Sequence, residues 1–368
     1  MNLIQDIFTI SSQKQFEKIA LKVFHFQYEN NLVYQEFCDF MKTDVAKVKS
    51  LQQIPFLPIQ FFKSHKVVSN KNPSQEIFSS SGTTSPLAPK DGIADKKAAS
   101  ITSKHFVTDI SFYEESYRKG FSQFYGNIED YTILALLPSY LEREGSSLIY
   151  MFDDLIKRTN NPESGFYLHN HEELIDRLIK LDNSGKNVIL IGVTYALLDL
   201  IKTFNNKSYS FEKEKKVLDN LGQKTENLSK SQQFQLKNTI VMETGGMKGR
   251  RKEMIREELH EYLCQGFGVT AIHSEYGMTE LLSQAYSLGN GVFECPSWMQ
   301  ILIRDTEDAL TYVADGKSGG INVIDLANLN SCSFIATQDL GKKNPNGSFE
   351  VLGRFDNSDI RGCNLMVI

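Results

Sequence analysis

Between Gln13 and Met41 apolar residues recur at spacings of three and four: Phe16, Ile19, Ala20, Val23 and Phe26, then Phe37 and Phe40. That spacing predicts amphipathic helices whose aromatic residues belong to a core. The repeat breaks at Ile54–Lys63, IPFLPIQFFK, where Pro55 and Pro58 forbid a regular helix, so an extended connector is expected. Helical spacing returns at Ser111–Phe124. Two unbroken apolar runs follow, Tyr131–Leu137 (YTILALL) before Pro138 and Asn187–Val193 (NVILIGV), with a helix-like stretch at Glu172–Leu181 between them. Runs of this kind suit strands covered on both faces, and their alternation with helices predicts βαβ units in a mostly parallel sheet.

The pattern continues with Asn238–Glu243 (NTIVME), which ends in Thr244, Gly245 and Gly246, and with a strand starting at Ala271–His273. Between them, GRRKEMIREELHEYLCQGFG places Ile255, Leu259 and Leu263 on one helical face, with Gly266 and Gly268 as stop signals. Lys207–Lys237 is polar and reads as a solvated excursion. From Val292 onward, short alternating runs such as GGINVIDL and GSFEVLGRFD predict a small antiparallel β-region. The fold class is therefore α/β, mostly parallel sheets flanked by helices plus a β-rich part. We divide it into a helical 1–75, an α/β core at 76–290, a β-rich 291–350, and a tail at 351–368.

Composition narrows the partners. The chain has 368 residues, 41% of them hydrophobic, and a formal net charge of −5 from 40 basic and 45 acidic residues. Intermixed charge gives no field for nucleic acid or an anionic membrane. No stretch approaches the ~20 apolar residues that span a bilayer, so an integral membrane protein is not expected. The cysteines, Cys38, Cys264, Cys295, Cys332 and Cys363, form no C-x-x-C pair, which suits a reducing cytoplasm.

Candidate chemistry begins at IFSSSGTTSPLAPK, Ile77–Lys90. Ser79, Ser80, Ser81, Thr83 and Thr84 supply hydroxyls and Gly82 permits close backbone approach, so the loop can wrap an anion. It lacks the G-x-x-x-x-G-K-[ST] spacing of the common nucleotide cradle. Gly245 and Gly246 leave room for a flat ring against the backbone. Lys248, Arg250 and Arg251 are compatible with a phosphate-facing patch or a solvated one. His169 and His171 form an H-x-H pair at a helix entry, too few ligands for a metal site. His273 is compatible with the site or with the core.

Three further segments follow the hydroxyl loop in order: SEYGMTE at Ser274–Glu280, TQDLG at Thr337–Gly341 and LGRFDNSDIRG at Leu352–Gly362. Together with SSSGTTS they resemble the adenylate-forming superfamily of acyl-CoA synthetases, peptide-synthetase adenylation domains and luciferases. The resemblance implies ATP and Mg²⁺ as cofactors, with Ser79–Thr84 on the phosphates and Glu280 as the Mg²⁺ ligand. It places Tyr276, with Gly277 and Met278, near the adenine, Gly245 and Gly246 along its other edge, Thr279 on the α-phosphate, and Asp339 and Arg354 at the ribose.

Superfamily members continue beyond the GR-x-D hinge into a mobile domain carrying an adenylation lysine, whereas this sequence stops five residues after Cys363. The expectation is that this domain is absent and that Lys248, Lys90 or another group substitutes. PFLPIQFFK, LLPSYLEREGSSL, TGGMK and the RGCNLMVI ending further resemble the LuxE-type acyl-protein synthetases of bacterial luminescence systems. That likeness implies activation of a fatty acid as acyl-AMP, transfer to Cys363 as a thioester, and delivery to a protein partner such as an acyl-CoA reductase. A thiolate near a flexible end suits that role, and Arg361 would lower its pKa. Direct delivery to coenzyme A or a carrier-protein thiol, and a catalytically silent nucleotide-binding module, are the competing expectations.

Overall fold

The computed structural model describes residues 3–80, 102–138, 144–206, 234–245 and 254–355. One six-stranded sheet runs in the order β5-β4-β6-β7-β8-β9, comprising β4 (Thr132–Leu136), β5 (Gly165–Tyr167), β6 (Val188–Val193), β7 (Thr239–Thr244), β8 (Ile272–Tyr276) and β9 (Ala285–Ser287). The pairings from β5 through β8 are parallel and β9 closes the edge antiparallel. Every residue of β4 and β6 is buried, which is why their sequences are unbroken apolar runs rather than alternations. Helices Ser111–Tyr125, Ser147–Arg158, His171–Asn183 and 194–206 supply the cover. Asp182 ties one of them to the sheet by accepting from Lys237 N, Asn238 N and the Thr239 hydroxyl at the start of β7.

A second six-stranded sheet is antiparallel along β10-β14-β13-β12-β11: β10 (Val292–Phe293), β11 (Met299–Arg304), β12 (Ser318–Asp325), β13 (Phe334–Lys343) and β14 (Phe349–Arg354). Its remaining strand comes from the proline-rich connector. β1 (Leu57–Pro58) pairs parallel with β13, and a short helix at Phe61–Ser64 follows, so the connector is only partly extended. A hairpin of β2 (Glu76–Ser79) and β3 (Lys104–Val107) carries the start of the hydroxyl loop.

The N-terminal helix Gln13–Asn30 begins at an N-cap Ser12 and buries Phe16, Ile19, Ala20, Val23, Phe24 and Gln27 on one face. Phe24 and Tyr34 pack on Phe334, and Gln27 donates to the Asn328 and Leu329 carbonyls. β12 itself is buried at every position from Gly319 to Asp325, more completely than its alternating sequence suggests.

Two residues depart from the helical pattern. Phe40 is exposed, and Ile255, also exposed, precedes its helix, which spans Arg256–Phe267. Gly268 then ends that helix at φ 66°, a left-handed cap suited to glycine. No helix among the described residues is long and apolar enough to cross a membrane.

Candidate active site

The site forms where the carboxyl ends of the parallel strands meet the antiparallel sheet, the position at which open α/β sheets bind ligands. β2 delivers the hydroxyl loop's first two residues. Ser79 N donates to Gly145 O at 2.8 Å, while Ser80 N donates to Ser103 O and Ser103 N to Ser80 Oγ at 3.0 and 2.9 Å. Ser103, just before β3, thus fixes Ser80, and its own hydroxyl lies beside the carboxylate of Glu280. Ser81, Gly82, Thr83 and Thr84 lie outside the described residues, as do Gly246, Lys248 and Cys363.

The SEYGMTE segment leaves β8 at Tyr276 and turns, with Gly277 exposed and Thr279 half-buried. Two consecutive carbonyls of that turn are held from different elements: His105 Nδ1 donates to Thr279 O at 2.9 Å, and Asn328 Nδ2 to Glu280 O at 2.8 Å. Burial pushes His105 down to about 4, so it is neutral at pH 7 and donates through one nitrogen only. The Glu280 side chain is 5% exposed and makes no ion pair among the described residues. Its burial raises the carboxyl above its ordinary pKa, against the opposing influence of Ser103 and Arg354.

Asp339 and Arg354 are direct cross-strand partners on β13 and β14. Tyr276 Oη donates to Asp339 Oδ2 at 2.8 Å and Arg354 Nε to Oδ1 at 3.1 Å. Asp339 is buried; Arg354 is 63% exposed. The Tyr276 ring packs edge-on against Phe293 and Phe349, and burial raises its hydroxyl well above the usual tyrosine range. Arg304 ties β12 to β13, donating to Ile321 O on the one and Thr337 O on the other. Gly245, one strand over, has φ 67° and its carbonyl accepts from Thr194 Oγ1.

Thus Ser79, Ser80, Tyr276, Gly277, Met278, Thr279, Glu280, Asp339, Arg354 and Gly245, spread over nearly 280 positions of sequence, come to one region. Ser103, His105 and Asn328 join them, and the sequence carries no local signal for these three. Chemically, the region offers hydroxyl and backbone donors next to two buried carboxylates. No group of three or more His, Cys, Asp or Glu poised for a metal exists among the described residues. Glu280 is a single buried carboxylate, which could supply one oxygen ligand to a hard cation.

Flanking the site, Glu243 is buried with Arg256 Nη1 at 2.6 Å and His260 Nε2 at 3.6 Å. Burial would raise its carboxyl, but His260, Arg256 and Ser274 together hold it below its ordinary pKa. His273 accepts from or donates to Tyr125 Oη at 3.2 Å within an aromatic cluster, and burial lowers it to about 4; it is a packed histidine. Cys38 and Cys332 are buried and Cys264 and Cys295 half-buried, and burial raises all four thiols, Cys38 to about 12, so none is a ready nucleophile.

No family model and no curated protein matches the chain. Solved structures do. The chain is similar to an open conformation of 2-hydroxyisobutyryl-CoA ligase in complex with 2-HIB-AMP and CoA, at 12% identity and TM-score 0.59, over 95% of this chain and 72% of that one. It is similar to ATP-bound MatB from Rhodopseudomonas palustris at 14% identity and TM-score 0.50, over 78% of this chain and 49% of that one. The chain thus spans about half the length of MatB. The chain shares the α/β fold of these solved structures.

Proposed function

We propose that this chain is an ATP-dependent acid–thiol ligase. A carboxylate oxygen of the acid attacks the α-phosphorus of ATP, pyrophosphate leaves, and an acyl adenylate forms. A thiolate then attacks the acyl carbon, forming a thioester and releasing AMP. The observation that carries the reading is the chain of contacts from Ser80 through Ser103 to Glu280, and from Tyr276 through Asp339 to Arg354. It brings four separate sequence motifs to one end of a parallel sheet, within a fold shared with acyl-CoA ligases.

In this reading Ser79–Thr84 hold phosphates and Thr279 bonds the α-phosphate. Asp339, with Arg354, accepts the ribose hydroxyls; Tyr276, Gly277, Met278, Gly245 and Gly246 border the adenine. Glu280 would hold Mg²⁺, which supplies charge neutralisation of the phosphates. Lys248 takes the part of the adenylation lysine. The acid is a fatty acid and the thiol is Cys363, from which the acyl group passes to a protein partner such as an acyl reductase, as the likeness to acyl-protein synthetases suggests. Delivery to coenzyme A is the second reading, favoured by the CoA complex of the similar ligase.

The test is acid-dependent exchange of labelled pyrophosphate into ATP, followed by labelled-acid transfer to the protein. A hydroxylamine-labile label that disappears in Cys363→Ser supports the acyl-protein route. Exchange with a stable Cys363→Ser enzyme that still forms acyl-CoA supports the second. No exchange with any acid refutes both.

A further inference from the structure

Residues 277–284, between β8 and β9, belong to no helix or strand. This stretch carries Thr279 and Glu280, and its own backbone supplies one bond, Leu281 N to Met278 O at 3.1 Å. Its place is therefore set from outside, where its remaining backbone groups find partners. The chief anchor is a corner of the antiparallel sheet. Asp325, the last residue of β12, accepts on Oδ2 from Leu282 N at 2.7 Å and from Ser283 N at 3.0 Å, and on Oδ1 from Ser283 Oγ at 2.5 Å. Asn328, at the end of the turn Leu326–Asn328, donates from Nδ2 to Glu280 O. Asp325 and Asn328 are both wholly buried.

Among the described residues no cation pairs with Asp325; two peptide N–H groups and a hydroxyl meet its carboxylate instead. Desolvating a carboxylate is costly, so a corner that served packing alone would be better built from neutral groups. What the charge adds is bond strength and direction, because bonds to a carboxylate are about twice as strong as neutral ones. Ser283 Oγ also meets Ser116 Oγ at 2.9 Å, and Trp298 Nε1 donates to both at 3.0 Å, which locks the anchored segment to the helix Ser111–Tyr125. Glu280 lies within this frame. Asn328 holds its carbonyl, Asp325 holds the backbone just beyond it, and its own carboxylate lies beside the Ser103 hydroxyl, under the influence of Arg354 and Asp339.

We propose that Asp325 is a positioning residue for Glu280: by fixing the Leu282 and Ser283 backbone it holds the Glu280 carboxylate where the cation of a bound nucleotide would meet it, with Asn328 as the second tether. This rests on the ligase reading, which places Glu280 at the nucleotide. A group that orients a cation's ligand without touching the cation is typically worth about 10–100-fold in the cation's affinity.

The experiment is calorimetric titration of ATP into the full chain at a series of Mg²⁺ concentrations. It compares the wild type, Asp325→Asn, Asn328→Ala, Glu280→Gln and the double variant Asp325→Asn with Glu280→Gln, with circular dichroism to establish folding. Asp325→Asn should raise the Mg²⁺ concentration that gives half the tightening of ATP by about 10-fold or more, and leave the affinity for ATP without Mg²⁺ unchanged. In the Glu280→Gln background it should add nothing to the Mg²⁺ dependence, because it acts through Glu280. Asn328→Ala should shift the Mg²⁺ dependence in the same direction, and it carries the test if Asp325→Asn does not fold. A Mg²⁺ dependence unmoved by both substitutions, or moved by Asp325→Asn equally in the Glu280→Gln background, overturns the positioning role and leaves Asp325 a packing residue. So does wild-type binding of ATP that is indifferent to Mg²⁺. Acid-dependent pyrophosphate exchange is measured alongside: the predicted shifts in a wild type that exchanges with no acid would uphold the positioning role and refute the ligase reading.

Discussion

Replacing Tyr276 by Phe removes one hydroxyl and leaves the ring's packing on Phe293 and Phe349 intact. The bond it deletes is buried and runs to a charged acceptor, Asp339 Oδ2, at 2.8 Å. Bonds to charged groups contribute about 1.5–3 kcal/mol, and the orphaned acceptor adds to the loss. Asp339's other partner does not compensate, because Arg354 is 63% exposed and a solvent-screened pair is worth ~0–1 kcal/mol. Tyr276→Phe should therefore destabilise by about 2 kcal/mol, more than Arg354→Ala, although Arg354 carries the charge. Urea unfolding of the three proteins measures this. If ribose hydroxyls take up the vacated acceptor, saturating ATP with Mg²⁺ should narrow the gap between Tyr276→Phe and wild type. A loss no greater than that of Arg354→Ala would refute the claim that the buried hydroxyl, not the arginine, holds Asp339.

Further outcomes follow from the same geometry. His105→Phe leaves the Thr279 carbonyl without its donor and should cost about 1–3 kcal/mol and weaken ATP binding; His105→Asn, whose amide overlays Nδ1, should recover most of both by calorimetry. Glu275 has its carboxyl raised from 4.5 to about 7 by burial. A raised acid pKa favours the protonated folded state, so stability should fall as pH rises from about 4.5 towards 7, and Glu275→Gln should flatten that slope in thermal melts. Gly341→Ala puts a Cβ 2.6 Å from Glu350 O and against Ile321, an overpacking cost of about 1–3 kcal/mol visible in urea unfolding. Chelating Mg²⁺ should abolish exchange while leaving the melting temperature of the nucleotide-free protein unchanged.

The elements were most legible where burial is uniform. TILAL in β4 and VILIGV in β6 are covered on both faces, so apolar composition alone marks them. β12 misleads because its alternation, with Asn322 among isoleucines and valine, reflects a buried hydrogen bond to Arg304 rather than a solvent face. Phe40 and Ile255 fit helical spacing but stand at helix ends, where position on the wheel no longer sets exposure. The four ordered motifs singled out Tyr276, Glu280, Asp339 and Arg354, which the fold brings together. His105 and Asn328 were not, since their contacts to the Thr279–Glu280 turn span 174 and 48 positions. Nor does the sequence distinguish Glu243, which is paired with Arg256, from Glu275, which is not; only the face of the sheet on which each falls separates them.

Calorimetric titration of ATP with Mg²⁺ into the wild type, Asp339→Leu and Glu280→Gln decides whether these motifs grip one nucleotide. One-to-one binding that is lost in Asp339→Leu, and that loses its Mg²⁺ dependence in Glu280→Gln, is the predicted result. Absence of binding by the wild type, or binding untouched by both substitutions, would contradict it.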